Sequence, residues 1–72
     1  MMETIAYRKG KHHANATVVA TDDGRFQGAV ELSHEIEGIA AERHLVPGGS
    51  DTPDEAFDEA KALAHRLLAN LQ

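Results

Sequence analysis

The chain contains no cysteine. Disulfides and thiolate metal sites are excluded, and a reducing compartment is permitted. No apolar run approaches the roughly 20 residues that a membrane-spanning helix needs. The N-terminal Met1-Met2-Glu3-Thr4-Ile5-Ala6-Tyr7 lacks the charged-then-apolar order of a secretory signal. Together these absences set a cytoplasmic expectation. Bases are also scarce, with seven against twelve acids and a net charge of -5. They are unevenly placed. Residues 1–13 hold three bases and one acid, whereas residues 14–72 hold four bases and eleven acids. An acidic body argues against broad binding to a phosphate backbone, which needs a continuous basic face.

What is present first declares itself near the C-terminus. In Thr52-Pro53-Asp54-Glu55, Thr52 suits the N-cap, Pro53 the first helical position and Glu55 the third. The apolar residues Ala56, Phe57, Ala60, Leu63, Ala64, Leu67, Leu68 and Leu71 then recur at helical spacing. The predicted helix runs from about residue 53 to 71. Asp54, Glu55, Asp58 and Glu59 crowd its start and Lys61, His65 and Arg66 lie further on, the order that the helix dipole favours.

Before the helix the pattern is that of strands. His12 to Thr21 carries the β-branched Thr17, Val18 and Val19. Phe26 to Ile36 alternates, with Phe26, Gly28, Val30 and Leu32 on one face and Gln27, Glu31, Ser33 and Glu35 on the other. A weaker third strand is expected from Ile39 to Val46, after a turn at Glu37-Gly38. A three-residue turn at Asp22-Asp23-Gly24 pairs Phe26 with Ala20, Gly28 with Val18, Val30 with Ala16 and Leu32 with Ala14. That register sets apolar against apolar along the ladder, and Gly24 suits the left-handed position of such a loop. The small residues Ala14, Ala16, Ala20 and Gly28 then let a helix come close.

The expected fold is α+β in two layers: a three-stranded antiparallel meander over residues 12–46, packed against one C-terminal helix over residues 53–71 (β-β-β-α). All 72 residues form a single domain. Residues 1–11 are less determined. Ile5, Ala6 and Tyr7 can extend the first strand or add a short pairing, with Gly10 as an interruption.

In a simple meander the first and third strands are edges, and His13 to Ala20 on the first, which carries neither charge nor proline, is the less defended. Undefended edges invite pairing with another chain. A homodimer through this edge is expected, unless the N-terminal segment covers it.

Several side chains suggest chemistry. In the chosen register His12 lies opposite His34, and two imidazoles on neighbouring strands can share a metal ion. No third ligand is placed, so no metal site is expected. His44 can fall opposite Glu31 as an ordinary cross-strand pair. Ser50 lies in a glycine-containing loop before the helix, but no Gly-Lys-Ser/Thr follows and Asp51, Asp54 and Glu55 repel a phosphate. Ser33 and His34 are strand neighbours and point to opposite faces. No nucleophile, base and oxyanion set converges, so neither catalysis nor a cofactor is expected. Two surfaces remain. The acids Asp51, Asp54, Glu55, Asp58 and Glu59 suit a basic protein partner. Tyr7, Arg8, Lys9 and Lys11 form the basic segment, suited to RNA bases and phosphates.

The turn Asp22-Asp23-Gly24-Arg25-Phe26 and the helix entry Gly49-Ser50-Asp51-Thr52-Pro53-Asp54-Glu55-Ala56 resemble those of the small β-β-β-α domain of HicB-like antitoxins. Other small bacterial domains with a Thr-x-x-Glu-Ala helix start are similar. The resemblance covers residues 12–71. It implies an inhibitor of a small basic protein. Where that family carries Asp-Leu-Pro-Gly, this chain has Ile36-Glu37-Gly38, and operator binding is not expected. The double-stranded RNA-binding fold shares the core, but it adds an N-terminal helix and has a basic helix start, where this chain is acidic. The lead expectation is a non-catalytic intracellular module for protein binding or self-association.

Overall fold

The computed structural model describes residues 4–35 and 41–70. The turn expected at Glu37-Gly38, the strand ends expected at Ile36 and Ile39, and Leu71 lie outside the described residues. The described chain forms β1 (Ile5–Lys9), β2 (His12–Ala20), β3 (Phe26–His34), β4 (Glu42–Leu45) and α1 (Pro53–Ala69). The strands pair antiparallel in the order β1-β2-β3-β4, with the helix against one face. The architecture is α+β, with four strands instead of the expected three.

The added strand is β1. It pairs with β2 from Ile5 opposite Ala16 to Lys9 opposite His12. Gly10 is the turn that makes this pairing, not an interruption. Its φ of 60° is the value that a two-residue type II′ loop needs at its first central position. The expectation that β2 is an edge is corrected here: residues 12–16 are covered by β1. That stretch of the edge is taken by the chain's own N-terminal segment.

The β2–β3 register is as expected, with Ala20 opposite Phe26, Val18 opposite Gly28, Ala16 opposite Val30, Ala14 opposite Leu32 and His12 opposite His34. Gly24 takes φ 80° in the loop. The β3–β4 register differs by one residue from the expected pair. Arg43, not His44, lies opposite Glu31, and His44 lies opposite Val30. The slip turns His44 toward the helix side of the sheet, because side chains alternate between faces.

Thr52 caps α1, its Oγ1 accepting a hydrogen bond from the Glu55 N–H at 3.2 Å. One side of the helix is a line of alanines. Ala56, Ala60 and Ala64 are fully buried, and Leu68 extends the line. Ala60, Ala64 and Leu68 pack on Ala14, Ala16 and Val30, and Ala56 lies close to Gly28. Small side chains bury little area each, roughly 0.8 kcal/mol per methylene-sized group. Such a core depends on close approach of helix to sheet. Gly28 provides it: a Cβ there would lie 2.6 Å from the Ala56 carbonyl oxygen and 3.0 Å from the Ala60 Cβ.

Candidate functional site

The loop before the helix is fastened at both ends of Ser50. Its N–H donates to the Phe26 carbonyl at 2.7 Å, and its carbonyl accepts from the Phe26 N–H at 2.9 Å. The buried Ser50 Oγ donates to Glu59 Oε1 at 2.8 Å. Arg25 holds the same loop from outside, donating to the Gly49 carbonyl at 2.7 Å and pairing with Asp51 at 3.3 Å. Of the five acids singled out, Asp51 thus pairs with Arg25 and Glu59 binds Ser50. Asp58 pairs with Lys61 at 3.1 Å. Asp54 and Glu55 are exposed. Three of the five acids therefore have partners within the chain.

The basic segment is divided between the two faces of the sheet. Tyr7 and Lys9 turn to the helix side. The Tyr7 ring lies 4.3 Å from the His65 ring, and Lys9 Nζ donates to the Leu68 carbonyl at 3.0 Å. Arg8 turns the other way, to Glu35 at 3.3 Å and to the Gly10 carbonyl at 2.9 Å. Lys11 is exposed at the turn. Alternation along β1 therefore sets Tyr7 and Lys9 on one face of the sheet and Arg8 on the other.

Glu35 gathers a second small cluster. His13 Nε2 lies 2.8 Å from its Oε1, beside Arg8. The hydrogen bond from His13 holds the Glu35 carboxyl below its ordinary value of 4.5, and the charges of Arg8, His13 and Lys11 add to this. The His12 and His34 rings meet edge to face with centroids 4.3 Å apart. Among the described residues no group of three His, Asp or Glu side chains is placed to hold a metal ion. His44 Nε2 lies 3.4 Å from Glu42 Oε2, yet among the described residues it has no hydrogen-bond partner.

Strand β4 is one of the two outer strands of the sheet, the other being β1. The Val46 N–H donates inward to the Gly28 carbonyl at 2.9 Å. By the antiparallel alternation, Arg43 and Leu45 then turn their backbone N–H and C=O groups outward. Leu45 is also 49% exposed, and Ile5 on the other outer strand is 38% exposed. Each outer strand therefore carries one exposed large apolar side chain. Beside the end of β4 a shallow cleft of about 150 Å³ is lined by Val46, Pro47, Glu59, Ala62, Leu63 and Arg66. It is smaller than the roughly 300–1,000 Å³ typical of small-molecule pockets. In a meander the last strand is an edge wherever β1 goes, so this edge was legible in the sequence; the edge that β1 changes is the one at β2.

No family model matches the chain, and neither a curated protein nor a solved structure matches it. Among the described residues no helix is long and apolar enough to cross a membrane.

Proposed function

We propose that this chain is a non-catalytic protein-binding module that takes a basic, extended segment of another protein along the β4 edge. The observation that carries the reading is Leu45, an apolar side chain 49% exposed on an outer strand whose backbone groups turn outward. Strand addition draws its affinity from such main-chain groups and its specificity from neighbouring side chains. The helix begins over this end of the sheet, since Ala56 and Val46 both crowd Gly28. Asp54 and Glu55, exposed at the helix start, favour a basic partner. The resemblance to HicB-like antitoxins supports a small basic protein as that partner. A cytoplasmic setting accords with a chain free of cysteine.

The test is affinity capture of the tagged protein from its host, with and without nuclease, using wild type and two variants. Leu45→Pro removes an outward N–H and the apolar side chain while sparing the inward hydrogen bonds to β3. Asp54→Lys with Glu55→Lys reverses the charge at the helix start. A stoichiometric basic protein retained by wild type and lost by both variants is expected. Equal retention by all three would overturn the reading, and nuclease-sensitive capture would replace it with RNA binding.

A further inference from the structure

The cleft beside β4 has a symmetry that the edge reading does not use. Glu59, Ala62, Leu63 and Arg66 line one flank of α1. Glu59 and Arg66 are seven residues apart, which is two turns or about 10 Å along the helix. An acid stands at one end and a base at the other, with Ala62 and Leu63 between them. Glu59 is held in place, its Oε1 accepting from Ser50 at 2.8 Å. Arg66 is exposed, and among the described residues it makes no ion pair with a carboxylate.

From this arrangement we infer that the flank is a self-complementary interface, and that its occupant is a second copy of the same chain. A two-fold axis between Ala62 and Leu63 sets two α1 helices antiparallel. Glu59 then meets Arg66 of the second copy, and Arg66 meets its Glu59. Leu63 of each copy packs on Ala62 of the other, a large side chain on a small one. An isologous contact requires this reciprocity, with residue i on residue j and j on i. A partner of uniform charge would satisfy one end of the cleft and be repelled at the other. The contact spans about two helical turns and is far smaller than a standard interface of roughly 1,600 Å². The dimer is therefore reversible and concentration-dependent.

Sedimentation velocity and light scattering over a concentration series test this. The mass of the wild type should rise from that of the 7.8 kDa chain toward twice that value. Arg66→Glu should weaken association at least tenfold, because it sets acid against acid at both ends. Glu59→Lys should do the same with base against base. An equimolar mixture of the two variants should associate again, since each then offers what the other lacks. Ala62→Arg, at an exposed position on the axis, should abolish the dimer and serves in place of Glu59→Lys if loss of the Ser50 contact unfolds that variant. A wild type that stays monomeric throughout, or an Arg66→Glu variant that associates like wild type, would overturn the inference. Either result leaves the β4 edge reading intact.

Discussion

Replacing Gly28 by alanine tests the packing on which the fold rests. The added Cβ would sit 2.6 Å from the Ala56 carbonyl oxygen, 3.0 Å from the Ala60 Cβ and 3.0 Å from Val46 Cγ2. The nearest of these atoms is helix backbone, so no side-chain rotation relieves it. The helix has to withdraw by several tenths of an ångström. Withdrawal is costly here because the facing side chains are alanines, which have no length with which to follow. Overpacking of this kind costs about 1–3 kcal/mol. Alanine loses less backbone entropy on folding than glycine, which returns roughly 0.5–1 kcal/mol. The net expectation is a loss of about 1–2 kcal/mol. For a domain of this size that lowers Tm by about 5–15 °C. Total stability is on the order of 4–10 kcal/mol, so the fraction lost is substantial. Thermal and urea unfolding followed by circular dichroism at the helix band measure it. A Tm equal to or above that of the wild type would refute close helix–sheet contact at Gly28.

Further expectations follow from the fastenings around the helix and the turns. Thr52→Ala removes the cap acceptor for the Glu55 N–H and should cost about 1 kcal/mol in urea unfolding, while Thr52→Ser should stay near wild type. Ser50→Ala leaves Glu59 without its donor at a part-buried position, and a loss of about 1–2 kcal/mol is expected by the same assay. Glu35 is held below its ordinary value of 4.5 by His13 and then by Arg8. The contact stabilises the fold above that pH and is lost as pH falls through the lower folded value. Titration of the Glu35 carboxyl by NMR should therefore show a midpoint below 4.5; a midpoint at or above it would contradict the contact, and Glu35→Gln should flatten this part of the acid limb. Asp23 is likewise held below 3.8, chiefly by the Thr21 hydroxyl, and its midpoint should rise in Thr21→Val.

Much of the fold was legible in the chain itself. The capped helix start needs only Thr52 and Pro53, because capping is local chemistry within one turn. The β2–β3 register was legible because a short loop and a run of apolar pairs leave one pairing that buries both faces together. Gly28 and the alanines announced a close helix for the same reason, since small residues in series on a buried face have no other use. The destination of residues 5–9 was not legible. Strand pairing there depends on a two-residue turn at Gly10, whose positive φ is a property of the folded hairpin and not of the residue type alone. Once β1 pairs with β2, the outer edge on that side moves from β2 to β1, while β4 stays the other outer strand.

The functional side chains divide along the same line. Composition and order determined that the body is acidic, that no thiol chemistry exists, and that acids gather at the helix start. Only the tertiary structure decided which of those acids are spent within the chain, as Asp51, Asp58 and Glu59 are. It also separated Tyr7 and Lys9 from Arg8, because adjacent residues of a strand face opposite ways. Likewise it turned His44 inward by one step of register and brought Glu59, Leu63 and Arg66 along one cleft beside Val46. Local chemistry can be read from neighbours in sequence. Which groups remain unsatisfied depends on partners distant in sequence, and only packing brings those together.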